Sequence, residues 1–422
     1  MVVLINDEIK NNNNNNNNNN INIILEFYYF RMQILAAAVT NLPDEVSMQL
    51  PSSDSIRRSL RHVRAKHRPK EPASLDELVI SDSWTMISGE NPEPFLFYDN
   101  GTDANERLLI FSTAEHLQYL GSSRNLFMDG TFGVAPALFS QLYVIHGQVG
   151  CGNYPLLYAL MQRQTQASYE ELFKFITDHC DAEPSTISVD FEKAVHQAIR
   201  VVFGEGVRIQ GCFYHLTQST WRKIQALGLT EIYRADDDFK LFCGQLDALA
   251  FLPIEKVSEG MTYIKSVMPI EAEELVEYFD STYVSGSVRR RPIGNQLRLR
   301  LRRVNPAFPP SLWNCHEATL NDEHRTNNVC EGWNNGFVNL VGHDHPSIWK
   351  LIESLQKESA RIHLLAVQDS RGIRPVKRVL SRSHILQKRL KNLCSDYAAE
   401  RKDIAELLRG VSHNIRFGQP NI

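Results

Sequence analysis

Three carboxylates carry the strongest chemical signal in the sequence. Asp129 ends the apolar run NLFM (Asn125 to Met128) and is followed by Gly130, Thr131 and Phe132. Asp190 ends the run ISV (Ile187 to Val189) and precedes a helical pattern. An acid at the end of an apolar run is costly to bury without a purpose, and in α/β sheets functional groups gather in crevices at strand ends. Two carboxylates on neighbouring strands suit a hard cation such as Mg²⁺. A third acid is needed to hold two ions, which at roughly 3.5–4 Å separation clamp the attacking and leaving oxygens of a phosphodiester. Glu331 is the candidate, within RTNNVCEGWNNGF (Arg325 to Phe337). Trp333 and Phe337 are four apart, as on a helix, and Asn327, Glu331 and Asn335 can then share a face. Each acid taken alone has a plainer explanation, as a turn or N-cap residue for the aspartates and as part of a solvated helix face for Glu331.

Cys212 and His215 form a C-x-x-H pair in GCFYHL. Such a pair can supply two ligands of a zinc site, with Cys180, Cys243, Cys315 and His316 as loose candidates for the rest. Buried packing of the pair is the competing explanation. The seven cysteines (151, 180, 212, 243, 315, 330 and 394) include no C-x-x-C pair. That argues against a zinc finger of the usual spacing and, at this chain length, against a disulfide-stapled secreted module.

Charge is strongly patterned. Val288 to Arg303 holds seven arginines (Arg289, Arg290, Arg291, Arg298, Arg300, Arg302 and Arg303) and no acid. Its QLRLRLRR portion alternates as a strand would, with a flexible basic loop as the alternative. It is the best local candidate for contact with nucleic-acid phosphates. Ser55 to Lys70 holds seven Lys/Arg and no acid, and reads either as a solvated linker helix or as a DNA-backbone contact or nuclear import signal. Arg371 to Lys391 is a third basic stretch. Glu231 to Asp280 is the opposite, with twelve acids against four Lys/Arg. Leu and Phe recur there at three-to-four spacing, which predicts a helical insertion whose acids line solvated faces.

The elements that must position these groups follow from short apolar runs. FLFYD, RLLIFS, NLFMDGTF, SQLYVIHGQV and YPLLYALM read as strands bounded by Gly, Asn and Asp. The last two are joined by a hairpin-like turn at CGN. Ser168 to Cys180 reads as a helix capped by Ser168, with Glu171 completing a capping box. ISVD is a strand, FEKAVHQAIRVVF a helix and VRIQGCFYH (Val207 to His215) a strand, and a long helix follows from Leu216. This order predicts an α/β class with a mixed sheet flanked by helices.

The pieces FMDGTF, QLYVIHG, YPLLYALM, ISVDFEKA, GCFYHLTQSTWRKIQ, RTNNVCEGWNNGF and HPSIWKLI, in that order, resemble the transposases of Mutator-like elements, the MULE group. The resemblance runs from about Val79 to Lys357. It implies a ribonuclease-H-like fold with an α-helical insertion before the last catalytic acid. It implies that Asp129, Asp190 and Glu331 are the catalytic and metal-binding acids, holding two Mg²⁺ or Mn²⁺ ions. It matches Cys212 and His215 to the family's C-x-x-H motif. The implied activity is DNA cleavage and strand transfer on transposon ends and target DNA, in the nucleus, with a homo-oligomer expected if two ends are handled together. The family's zinc-binding DNA-recognition module has no counterpart pattern here. A catalytically silent, transposon-derived DNA-binding or regulatory protein, or a ribonuclease-H-like nuclease without transposition, are the rival functions.

Composition limits the alternatives. The 422 residues are 43% apolar and 22% charged, with 45 Lys/Arg against 49 Asp/Glu, and the pI is near 6.4. This is globular composition without a uniformly basic nucleic-acid coat. The most apolar stretch, Ile21 to Val39, is interrupted by Asn22, Glu26, Arg31 and Gln33, so a membrane span is not expected. Ten consecutive asparagines (Asn11 to Asn20) read as a disordered tract or as translated non-coding sequence at a mispredicted start. The expected organisation is a leader (1–40), a basic linker (41–78) and a first core segment (79–230). A helical insertion with the Arg-rich stretch (231–320), a core helix bearing the last acid (321–360) and a basic helical C-terminal region (361–422) complete it.

Overall fold

The computed structural model describes residues 52, 55, 58, 68–87, 92–150, 152–293, 296–323, 325, 327–373 and 381–417. The asparagine tract, the Ile21 to Val39 stretch and most of Ser55 to Lys70 lie outside the described residues, as do Arg374, Lys377 and Arg378. The chain divides into units 1–72 and 73–422, and the sheet, its flanking helices and the candidate site all belong to the second.

Seven strands form one mixed sheet. They are β1 (Leu96–Asp99), β2 (Leu108–Phe111), β3 (Asn125–Thr131), β4 (Gln141–Val149), β5 (Gly152–Met161), β6 (Thr186–Val189) and β7 (Arg208–Gly211). Their order across the sheet is β1-β2-β5-β4-β3-β6-β7. Neighbours from β1 to β3 pair antiparallel, while β3/β6 and β6/β7 pair parallel. Helix α1 (Ala114–Ser122) precedes β3. Helices α2 (Gln166–Cys180) and α3 (Lys193–Phe203) provide the crossovers to β6 and β7, and α4 (Phe213–Ala226) leaves β7. This mixed α/β arrangement is the expected class and is consistent with a ribonuclease-H-like transposase fold.

Alternation along the central strands explains why both faces of the sheet are covered. In β4, Tyr143 and Ile145 join the core beneath α1 to α4, whereas Leu142 and Val144 join a second core on the opposite face. That second core is closed by α11 (Asn328–Val341) and α12 (Ile348–Ser370), through Trp333, Phe337, Val341, Trp349 and Ile352.

Between α4 and α11 the chain forms α5 (Thr230–Ala235), α6 (Asp237–Ala248), α7 (Val257–Ser266) and α8 (Glu273–Phe279). A hairpin, β8 (Ser287–Ile293) with β9 (Gln296–Val304), and the short α9 (Pro310–Trp313) and α10 (His316–Leu320) follow. The QLRLRLRR segment is therefore a strand rather than a flexible loop. C-terminal helices α13 (Ser381–Ala398) and α14 (Ile404–Phe417) pack back on this region, with Leu407, Leu408 and Val411 sharing a core with Phe239, Phe242 and Leu246. Not every acid here faces water. Asp247 is fully buried, paired with Arg416 and accepting from the Thr220 hydroxyl at 2.7 Å.

Two local expectations are corrected. The cap of α2 is Thr165, whose hydroxyl accepts from the Ser168 N–H at 3.2 Å. Glu171 instead accepts from the Tyr98 hydroxyl at 2.7 Å and the Asn100 amide at 3.1 Å, tying α2 to the sheet edge. The strand expected over Val207 to His215 stops at Gly211, so that Phe213 to His215 form the first turn of α4. The ladder ends there because the Cys212 N–H closes it on Val189 O (3.1 Å) and the next N–H, of Phe213, turns to Arg325 O (3.1 Å).

Candidate metal centre

The parallel register of β3 and β6 brings the two aspartates together. Phe127 pairs with Ser188. Asp129 and Asp190 each lie two residues further along, just past the last paired residues of the two strands. Asp129 is buried within β3, paired with Val144 of β4, and Asp190 is the first residue beyond β6.

His215 joins them from the first turn of α4. Its Nδ1 lies 2.5 Å from Oδ1 of Asp190. Ligand atoms of Asp129, Asp190 and His215 all lie within 4.8 Å of one another, the one such His/Cys/Asp/Glu group among the described residues. Sequence spacing alone pairs His215 with Cys212 as zinc ligands. Placing it on a helix, one turn beyond the strand beside Asp190, turns it toward the carboxylates instead.

Cys212 also ties α11 to the sheet. Its Sγ accepts the backbone N–H of Asn327 at 3.1 Å, and the Asn327 side chain donates to Met128 O at 3.0 Å. Asn327 is fully buried. It therefore fastens the start of α11 to both β3 and the β7–α4 junction, one residue before Asp129 and three before His215. Of the other cysteines offered as zinc ligands, Cys243 and Cys315 are buried in the apolar core, and Nδ1 of His316 is engaged with Phe251 O at 2.7 Å.

Glu331 sits one helical turn after Asn327. It is outside the group of three, but it faces the same charges: its carboxyl is pushed up by burial and by Asp190, with His215 opposing. Its Oε1 is buried without a hydrogen-bond partner. One turn later, Asn334 donates its amide N–H to Oδ2 of Asp129 at 2.8 Å. Asn335, expected to share the Glu331 face, is exposed.

The electrostatics are those of an anionic centre suited to positive charge. Burial and the Asp190 carboxylate push Asp129 up to about 7, with Glu331 adding to the rise and His215 and the Gly130 N–H opposing it. Burial disfavours a charged His215, but the contact with Asp190 and the neighbouring Cys212 overcome it and raise the imidazole to about 11. Clustered carboxylates, one with an orphaned oxygen, fit a hard divalent cation. Asp129 and Asp190 would hold it, with Glu331 at the margin. The seven arginines of β8 and β9 are not part of this cluster.

Residues 125–219 match the MULE transposase domain. The match opens at the first residue of β3 and closes within α4, so it includes Asp129, Asp190, Cys212 and His215 and stops before Glu331. No curated protein matches the chain.

Proposed function

On the premise that residues 125–219 are a MULE transposase domain, we propose that this protein cleaves DNA and joins the freed end to a target, using Asp129, Asp190 and Glu331 with divalent cations. The observation that carries this reading is the placing of Asp129 and Asp190 side by side, each two residues past the last pairing of adjacent parallel strands, with the Glu331 carboxyl on α11 feeling the charge of Asp190. Water attacks a phosphodiester at the element end and releases a 3′-hydroxyl, which then attacks a target phosphodiester and displaces its 3′-oxygen. Bound Mg²⁺ or Mn²⁺ supplies the charge neutralisation that both displacements require.

The protein's own groups supply geometry. Asn334 fixes the rotamer of Asp129 through Oδ2. His215 pairs with Asp190 through Oδ1. Asn327 fixes the entry of α11, and with it the approach of Glu331, by bonding to the residue preceding Asp129. Partners that orient ligating carboxylates in this way are part of what makes a metal site competent. The nucleus is the compartment that such a substrate implies.

Nicking of supercoiled plasmid in Mn²⁺ tests this without knowledge of a target sequence. The wild-type protein relaxes the plasmid, and Asp190→Ala, Asp129→Ala and Glu331→Ala, each folded by circular dichroism, do not. Full activity in any of the three variants removes that residue from the site, and equal nicking by all four proteins overturns the assignment.

No helix among the described residues is long and apolar enough to cross a membrane.

A further inference from the structure

The arginine-rich hairpin has two unlike faces. In its register Arg289 is opposite Arg302 and Arg291 is opposite Arg300, while Arg290 is opposite Leu301 and Pro292 opposite Leu299. Directly opposed residues of an antiparallel pair belong to one face, and alternate residues along a strand return to it. One face therefore holds the positions of Arg289, Arg291, Arg298, Arg300 and Arg302. The other holds those of Val288, Arg290, Pro292, Leu299, Leu301 and Arg303. Two directly opposed Arg–Arg pairs are destabilising in an isolated ribbon.

The base of the hairpin stands next to the carboxylates. Tyr283, just before β8, and Phe308, just after β9, stack on each other with ring centres 5.8 Å apart. Both pack edge-on against Phe191, at 5.7 and 5.2 Å. Phe191 immediately follows Asp190. The indole N–H of Trp313 bonds both Tyr283 O (3.2 Å) and Phe308 O (3.1 Å), and Phe308 N–H donates to Thr282 O (3.0 Å), so the two ends are tied together. Gly211 completes the seat, because a Cβ there would lie 2.8 Å from the Phe191 ring. From this anchor a seven-residue strand reaches about 24 Å at about 3.4 Å per residue.

We infer that the hairpin is a phosphate-backbone clamp for duplex DNA flanking the scissile bond, engaged through the face of Arg289, Arg291, Arg298, Arg300 and Arg302. This rests on the proposed function for its choice of duplex DNA. Arginines two residues apart recur about every 6.8 Å along a strand, the rise of about two base pairs. Contact of this kind is independent of base sequence, and a two-stranded ribbon is narrow enough to lie against a groove edge.

The test is fluorescence anisotropy of a labelled duplex of arbitrary sequence, with the full chain in EDTA so that no cleavage occurs. Two variants of equal charge loss are compared, R300Q/R302Q and R290Q/R303Q, each checked by thermal melting. The first weakens binding by about tenfold or more and lowers the slope of log K against log salt by about 1.8, at about 0.9 per phosphate contact. The second loses several-fold less affinity. Equal losses in the two variants reduce the effect to net charge and overturn the clamp, as does no loss in either. Tighter binding of single-stranded RNA of the same length overturns the choice of duplex DNA. Because binding is read without metal, a chain that fails to nick plasmid but splits the two variants refutes the catalytic reading and leaves the clamp standing.

Discussion

The side-chain amide of Asn334 donates a 2.8 Å hydrogen bond to Oδ2 of Asp129, from a helix 205 residues further along the chain. Among the described residues, this bond joins α11, which carries Glu331, directly to a carboxylate of the sheet. Removing it leaves both acids present and frees the rotamer of one. Asn334→Ala should therefore lower plasmid nicking by about 10–100-fold, the range typical of partners that orient metal ligands. The loss should shrink at high Mn²⁺, and the melting temperature should stay near wild type. A loss that Mn²⁺ does not relieve, or unchanged activity, would contradict a positioning role.

Asp129 sets a second prediction, for protein stripped of divalent cation. Its carboxyl is raised from 3.8 to about 7, chiefly by burial and then by Asp190. Between those values the folded state holds a proton that the unfolded state has released. This contribution to stability is thus fully present below about pH 4 and is lost as pH rises to about 7. Asp129→Asn removes the titration. In urea denaturation with EDTA, the variant should gain on wild type between pH 4 and 8. The gain should reach at most a few kcal/mol, at about 1.4 kcal/mol for each pH unit between the folded and unfolded pKa values. Adding Mn²⁺ should stabilise wild type and leave the variant little changed. A difference independent of pH would show that Asp129 does not ionise at the expense of the fold.

The strand series is legible in the sequence because each buried strand is a short apolar run punctuated by Gly, Asn or Asp, and the same punctuation displays Asp190 just past its strand, whereas Asp129 stays inside β3, which runs on to Thr131. Helix α1 is not legible. Its inward side is His116, Leu117 and Leu120, and a fully buried histidine reads as polar in any periodicity. The cap of α2 is misleading because Ser168 and Glu171 fit a local pattern, whereas the structure uses Glu171 to bind Tyr98 and Asn100, which lie far away in sequence. Periodicity favours Asn335 over Asn334 as the neighbour of Glu331. Both are about one turn from it, and only the buried stripe of Cys330, Trp333, Phe337 and Val341 fixes how the helix is rolled. His215 stands out as chemistry through its spacing to Cys212, and only the ending of β7 shows that it also meets Asp190.

The region between α4 and α11 is held to the C-terminal helix by a buried ion pair. Asp247 of α6 is fully buried and bonded to Arg416 of α14 and to Thr220 of α4. Arg416→Ala strands a carboxylate in the core and should cost about 3–5 kcal/mol. The double variant D247N/R416M replaces both charges and should recover most of that loss. Chemical denaturation of the three proteins checks this. If the double variant is no better than the single one, the cost lies in lost packing of the Arg416 stem rather than in the unpaired charge.

His146 gives the opposite pH response to Asp129. It lies in β4, fully buried, edge-on to Trp333 at 5.7 Å, with neither ring nitrogen hydrogen-bonded. Burial alone depresses it from 6.5 to about 3. The unfolded chain takes up a proton near pH 6.5 that the folded chain refuses, so stability falls as pH drops from about 6.5 towards 3, by at most about 1.4 kcal/mol per pH unit. His146→Phe keeps the ring against Trp333 and removes the titration. Its urea midpoint should match or exceed wild type at pH 7 and pull further ahead at pH 5. Because Trp333 also donates to Glu358 and packs α11 against the sheet, acid should loosen the helix that carries Glu331 in wild type and less so in the variant. Tryptophan fluorescence between pH 7 and 5 reads this directly, and parallel titration curves for the two proteins would count against His146 as the cause.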